Sequence, residues 1–448
     1  MLEVLKDRTY RHLFLAQVIA LVGTGLATVA LGLLAYDLAG ANAGAVLGGA
    51  LAIKMIAYIG VGPVVNAFVD RLPRRAFLVS MDLVRAAIAL VLPFVTEIWQ
   101  VYLLIFLLHS ASAAFTPTFQ AAIPDILPDE KRYTRALSLS RLAYDMESLV
   151  SPMLAAALLT VISFHWLFGG TVVGFLASAA LVVSVAVPQP SPVHREGGIY
   201  ARTTRGVRIY LKTPRLQGLL ALNLAAAAAG AMVIVNTVVY VRTLLGRSNN
   251  DVAFGLAAFG GGSMMAALLL PRILERLGDR TVMLSAASLL AAALLAMAAL
   301  TLTPGVDRWI ALLTVWAVMG IGYSAVLTPS GRLLRRSASP EDRSAAFAAQ
   351  FALSHVCWLI TYAVACSLGA MVGMSWTLVI LAGLAVLGAT CALILWPSRD
   401  PDALAHEHPE LPRDHPHLRD GAPLATGEGH VHDVVIDDLH LHWPRAGA

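Results

Sequence analysis

Charge is what this sequence has least of. Asp, Glu, Lys and Arg together make up 13% of its 448 residues, against roughly 25% in a typical soluble domain. So little charge cannot cover the surface of a soluble chain of this length, which excludes an ordinary soluble enzyme. The net charge is only +4. Its basic residues sit in short segments and form no continuous basic face, so a nucleic-acid partner is excluded as well. Three cysteines occur, Cys357, Cys366 and Cys391, each in an apolar run, which leaves no disulfide framework and no thiolate zinc site. A G-x-x-x-x-G-K-[ST] phosphate loop is missing and no catalytic motif stands out, so the chain reads neither as a nucleotide-driven pump nor as an enzyme. Met1 to Arg11 is charged and the apolar run after it is too long for a cleavable signal peptide.

Apolar residues are abundant instead, at 58% with a mean hydropathy of +0.72. A bilayer core of about 30 Å needs about 20 of them per helix. Twelve runs qualify, over roughly 12–36, 44–69, 76–95, 99–123, 137–162, 166–187, 216–244, 252–274, 281–302, 308–330, 345–371 and 374–396. With the N-terminus inside, the inner segments before the tail hold 22 Lys and Arg and the outer loops hold 3, Arg242, Arg247 and Arg308. This asymmetry places both termini in the cytoplasm. The expected partner is a lipid bilayer, specifically the bacterial inner membrane. The longest polar break before the tail, 188–215, divides the chain into six-helix bundles at 1–187 and 216–397, followed by a tail at 398–448.

The two bundles read as copies of one unit. Asp70-Arg71-Leu72-Pro73-Arg74-Arg75 is answered by Glu275-Arg276-Leu277-Gly278-Asp279-Arg280, Thr116-Pro117 by Thr328-Pro329, and Pro128-Asp129-Glu130-Lys131-Arg132 by Pro340-Glu341-Asp342-Arg343. Three matches in one order at nearly constant displacement indicate duplication. Asn66-x-x-x-Asp70-Arg71-x-Pro73-Arg74-Arg75 resembles the G-x-x-x-D-R-x-G-R-R loop of the major facilitator superfamily, with both glycines replaced. That resemblance spans residues 1 to about 397. It implies an all-α fold of twelve membrane helices in two pseudo-symmetric bundles, with a substrate site near the midplane and halves that rock to alternate access. It also makes Asp70, Arg71, Arg74 and Arg75, with Glu275, Arg276 and Arg280 in the second copy, a conformational latch. Pro152 and the small residues around it resemble, without the glycines, a Gly-Pro stretch of the antiporter branch.

Charged residues inside spans are costly and point to function. They are Lys54, Asp82, Arg85, His109, Arg141, Asp145, Glu147 and His355. At 1.5 Å per residue, Asp145 lies roughly 13 Å and His355 roughly 16 Å from the inner ends of their spans, at equivalent positions of the repeat. Arg141 and Asp145, one turn apart, can pair. Glu147 faces away from Asp145 in a stripe of small residues, as a proton carrier or ligand. His109 and His355 suit proton relay or metal binding. Lys54 could neutralise an acid when the site is empty, and Asp82 with Arg85 reads as structural.

The tail holds 8 of the 13 histidines, as pairs His406/His408, His415/His417, His430/His432 and His440/His442. Its polar, Pro-rich composition predicts disorder. In extended chain the two members of each pair share a side, and imidazole with carboxylate but without thiolate suits nickel, cobalt, zinc or copper(II). With this tail, residues 137–153 (LSLSRLAYDMESLVSPM) and 53–75 resemble the nickel and cobalt resistance exporters of the superfamily. The resemblance implies a monomeric antiporter without a cofactor that exchanges cytoplasmic nickel or cobalt for protons. One rival is a drug or siderophore exporter whose cavity Trp316, Tyr323, Tyr58 and Phe115 would line. Another is a metal-sensing membrane protein.

Overall fold

The protein is represented by a computed structural model, which describes residues 2–69, 72–189, 198–303 and 307–401, and in the tail 403–406, 411, 416–419, 422–423 and 430–444. The first half carries α1 (Arg8–Ala39), α2 (Ala43–Val69), α3 (Arg74–Val91), α4 (Ile98–Ile126), α5 (Glu130–Leu158) and α6 (His165–Val183). A linker helix α7 (Ile199–Lys212) follows. The second half carries α8 (Pro214–Val239), α9 (Asn249–Leu274), α10 (Asp279–Leu302), α11 (Arg308–Leu327), α12 (Ser330–Ser337), α13 (Arg343–Met371) and α14 (Met374–Leu395).

Local chemistry sets the ends of these helices. The Asp7 carboxylate accepts from the Tyr10 N–H at 2.9 Å and the Asp129 carboxylate from the Arg132 N–H at 2.8 Å, so each satisfies an orphan first-turn donor. Ser248 and Asp251 cap α9 reciprocally. Between α13 and α14 the chain turns at Gly373 with φ +82°, a conformation that suits a residue without Cβ.

Among the described residues eleven helices are long and apolar enough to cross a membrane. The twelfth expected span, α5, forms a continuous helix of 29 residues, but Arg141, Asp145 and Glu147 make it too polar to count by composition. Large side chains such as Val386, Leu387, Leu393 and Ile394 on α14 are exposed, the surface a lipid-facing helix presents.

The duplication is visible in the packing. In the first half α1 packs on α6 and α5, α2 on α4, and α3 on α6 and α4; in the second, α8 packs on α14 and α13, α9 on α11, and α10 on α14 and α11. The halves then meet through two equivalent pairs, α5 with α9 and α13 with α2. The copies diverge at their Thr-Pro positions. Pro117 lies inside the unbroken α4, whereas α11 stops before Thr328-Pro329 and the chain restarts as α12.

The second half closes tightly where α9 crosses α11. A Cβ on Gly262 would lie 2.0 Å from the Ala317 carbonyl oxygen, and one on Gly320 would lie 1.9 Å from that of Phe259. Small residues permit this backbone approach. Trp316 is fully buried there and donates to Thr237 Oγ1 at 2.8 Å.

Composition predicts a disordered tail, and its described parts include a small sheet. Strands β1 (Ala403–His406), β2 (Ala422–Pro423) and β3 (His430–Asp433) form an antiparallel sheet in the order β1-β3-β2. Val434 and Ile436 are buried, giving this short segment the apolar anchor that the average composition of the tail conceals.

Candidate functional site

The two deep histidines, from opposite halves, meet over Tyr58. The Tyr58 hydroxyl on α2 lies 3.0 Å from His109 Nδ1 on α4. The Tyr58 ring meets His355 of α13 edge-on at 4.7 Å between centroids, and Phe351 at 4.9 Å. His355 Nδ1 faces the Phe351 carbonyl oxygen at 2.6 Å, so Nε2 is the nitrogen left for other partners. Lys54 Nζ stands 5.5 Å from the centre of the Tyr58 ring, one helical turn before it. The stem of Glu147 lies against α1 at Gly25, in the small-residue stripe expected of it.

Asp145 occupies the equivalent place in the repeat and does a different job. One carboxylate oxygen pairs with Arg141, and the other accepts from Ser263 Oγ on α9 at 2.7 Å. The Arg141 guanidinium lies 4.7 Å from the centre of the Tyr323 ring. Displaced by about 205 to 210 residues, Asp145–Ser263 becomes His355–Tyr58. The same two positions of the repeated unit therefore make a contact between the halves twice, once beside an anchored ion pair and once with an imidazole ring.

Asp82 and Arg85 pair inside the first bundle. Asp82 is fully buried, pairs with Arg85 and accepts from Ser178 Oγ at 2.8 Å, and the guanidinium is sandwiched between Phe115 at 4.1 Å and Phe175 at 4.5 Å. Of the four aromatic residues expected to line an organic cavity, Phe115 and Trp316 are therefore inside the bundles. Tyr58 and Tyr323 are at the interface between them.

The basic ends of the bundles are closed against one another. Arg343 of the second half pairs with Asp125 of the first, Arg332 with Glu130, and Arg335 donates to the Pro128 carbonyl. Asp125 also holds Arg74 at 2.8 Å, which in turn donates to the Pro188 carbonyl at 3.0 Å. Behind this closure lies a cavity of about 190 Å³, lined by Gln120, Ser140, Arg141, Tyr144, Gln350 and Ser354 among others.

The expected latch is thus placed only in part. Asp70 and Arg71 lie outside the described residues. Arg75, Glu275 and Arg276 are exposed, and Arg280 donates to the Trp396 carbonyl at 2.9 Å. The acid that gathers arginines in the second half is Asp279, 2.9 Å from Arg332 and 3.6 Å from Arg336. Asp279, Asp125, Arg332 and Arg343, none of them among the expected latch residues, carry the ion pairs of this end. The repeated acid–base loops at 275–280 and 340–343 contain Asp279 and Arg343, whereas no repeated motif marks Asp125 or Arg332.

In the tail, the histidines converge across the expected pairs. His417, His430 and His432 each bring a ring nitrogen to within 4.8 Å of the others. His432 Nε2 and His417 Nε2 are 3.2 Å apart, and the His440 ring lies 5.0 Å from His417 and 5.1 Å from His432 between centroids. His442 is exposed. His408, His415 and the side chain of His406 lie outside the described residues. Among the described residues this is the one group of three such side chains able to hold a metal ion.

Residues 13–303 and 219–427 match the profile of the Major Facilitator Superfamily. Macrolide efflux protein A of Enterococcus faecalis is 27% identical over 153 residues, 32% of this chain and 47% of that protein, so the chain spans about half the length of this relative. An uncharacterised transporter of the superfamily from Bacillus subtilis, YfiS, is 22% identical over 289 residues, 63% of this chain and 68% of that one. Among solved structures, the human organic anion transporter MFSD10 covers 86% of this chain and 99% of its own at a TM-score of 0.72 and 13% identity. A bacterial homologue of the iron transporter ferroportin in an outward-facing state covers 86% and 98% at a TM-score of 0.68 and 14% identity. These structures share the fold. With the profile spanning nearly the whole helical body, the chain belongs to the major facilitator superfamily as a multi-pass membrane protein.

Proposed function

We propose that the protein is an exporter of divalent nickel or cobalt in the bacterial inner membrane, driven by proton influx. In this reading α5 is the twelfth crossing, the protein works as a monomer, and both termini are cytoplasmic. The observation that carries it is the meeting of His109 and His355, from opposite halves, over the Tyr58 ring that Lys54 also approaches. In the empty carrier Lys54 balances Glu147. A divalent cation entering from the cytoplasm takes the Glu147 carboxylate and imidazole nitrogen as ligands and repels Lys54. A proton arriving from the outside then neutralises Glu147, weakens its hold and releases the metal outward. The closed basic end, with its cross-half ion pairs, is the arrangement that exposes this site to the outside. The tail histidines raise the metal concentration at the cytoplasmic mouth, as a tethered site does.

A second reading, export of an organic compound, is favoured by the rings of Tyr58, Phe351 and Tyr323 at the interface. It also fits the curated relatives named as macrolide efflux proteins. Among the described residues the membrane body gathers no three His, Cys, Asp or Glu ligand atoms close enough for one ion, so metal binding there requires the side chains to move. Uptake into inverted vesicles under an imposed inward-acidic gradient separates the readings. Gradient-dependent nickel or cobalt uptake that Glu147→Gln abolishes supports metal export. Dye uptake without metal uptake replaces it with the organic reading. Metal bound at the tail with neither taken up leaves a sensor.

A further inference from the structure

The tail's histidine cluster is physically joined to the contact that holds the linker helix on α13. Asp438, two residues before His440, accepts from Arg205 of α7 at 2.9 and 3.2 Å and lies 3.7 Å from Arg208. The Leu441 carbonyl, one residue after His440, accepts from Lys212 Nζ at 2.7 Å, and Trp443 lies 5.2 Å from the Arg215 guanidinium. The same Arg205 donates to both oxygens of Asp342, at 2.6 and 2.9 Å, immediately before α13 and next to Arg343 of the basic closure. Helix α7 also touches α2 of the first half. It therefore bridges the two halves at the end that must open.

The cluster has the geometry of a binding site whose atoms are already oriented. The His440 Nδ1 is held by the Asp437 carboxylate at 2.9 Å and His432 Nδ1 faces the Asp433 carbonyl at 2.8 Å, which directs Nε2 of each ring inward, as the outer partners of metal-bound imidazoles do. Bonds of about 2.0–2.1 Å in a tetrahedral site separate neighbouring ligand nitrogens by about 3.3 Å, close to the 3.2 Å between His432 and His417.

We infer that a divalent transition metal bound by His417, His430 and His432, with His440 as fourth donor, clasps the tail onto α7 and so strengthens the Arg205–Asp342 hold on the closed basic end. The inference rests on the tail being a metal-binding element, and not on which substrate the membrane body carries. Binding and docking share residues 437–441, so each must favour the other by the same factor.

The test uses the full-length protein in lipid nanodiscs, with zinc as a redox-silent and diamagnetic probe. Zinc affinity and amide hydrogen exchange are measured for wild type, Asp438→Asn and His430→Ala. Asp438 is exposed, so its replacement leaves the fold intact, and it supplies none of the inferred ligand atoms. The expected results are about tenfold slower exchange across 199–212 and 430–443 on adding zinc, and about tenfold weaker zinc affinity in Asp438→Asn, within the range usual for coupled sites. Loss of the zinc effect is expected in His430→Ala. Equal zinc affinity in wild type and Asp438→Asn, with unchanged exchange in α7, overturns the clasp while leaving the metal-binding tail standing. No zinc binding to wild type overturns both.

Discussion

Arg343 is the most informative residue to remove from the closed basic end. Its partner Asp125 lies across the boundary between the halves, and both side chains are about 15% exposed. Fully exposed pairs are worth roughly 0.2–1 kcal/mol, and breaking a buried pair costs about 3–5 kcal/mol when a charge is stranded. Here Arg343→Gln strands nothing, because Asp125 keeps Arg74 at 2.8 Å. The cost therefore falls near the lower end, about 1.4 kcal/mol, and it falls only on the closed arrangement. That is a tenfold rise in the population open at the basic end. Ser354 lines the cavity behind the closure, so a cysteine placed there reports opening. In inverted vesicles, with Cys357, Cys366 and Cys391 replaced by serine, Ser354→Cys reacts with a membrane-impermeant maleimide about ten times faster once Arg343→Gln is added. Because an open fraction that is small in wild type sets the rate, the tenfold translates directly. A rate unchanged within twofold, or a slower one, refutes the assignment of this pair as a gate.

Asp145→Asn removes the charge that compensates the mostly buried Arg141 and weakens the bond to Ser263, so thermal unfolding in detergent should shift down by the equivalent of about 3 kcal/mol; an unchanged melting temperature contradicts the pairing. Tyr58→Phe keeps the ring against His355 and Phe351 but loses the hydroxyl beside His109, at about 0.5–1.5 kcal/mol. It should melt nearly like wild type while gradient-driven uptake falls, and uptake at the wild-type rate removes Tyr58 from the coupling path. Gly320→Ala sets a methyl against the Phe259 carbonyl. It should cost at least about 1–3 kcal/mol, seen as loss of monodisperse protein on size-exclusion chromatography, whereas alanine at the exposed Arg276 should have no such effect.

Much of this architecture is written in periodicity. The apolar runs mark the helices, the 22-to-3 asymmetry of basic residues marks the ends, and the repeated Asp-Arg and Thr-Pro signals mark the duplication that packing then displays. The Arg141–Asp145 pair is equally legible, being one turn apart on one helix. Contacts between helices are not. His109, Tyr58 and His355 are separated by dozens to hundreds of residues, and only the meeting of α2, α4 and α13 brings them together. The tail shows the same limit. Spacing suggests two histidines per ion within each H-x-H, but the cluster joins both members of one pair, His430 and His432, to His417 and His440, single members of two others. Glu275 aligns with Asp70 in sequence, yet Asp279, four residues later at the start of α10 and buried, is the acid that α12 approaches.

The polarity of α5 has a consequence for how the chain is made. With α5 as the proposed twelfth crossing, each of Arg141, Asp145 and Glu147 at mid-membrane would cost about 2.5–3.5 kcal/mol to insert, and only the first two can offset one another within the helix. The remaining stabilisation comes from elsewhere: Lys54 on α2 is already synthesised, but Ser263 on α9 follows Asp145 by 118 residues. A helix so placed cannot partition into lipid as it leaves the ribosome. It must wait beside the insertion machinery, or leave it together with α1 and α2, until the second half has emerged. Truncation after α6 should therefore yield a product that is integrated poorly, while the same six helices co-expressed with a separate second half should be rescued.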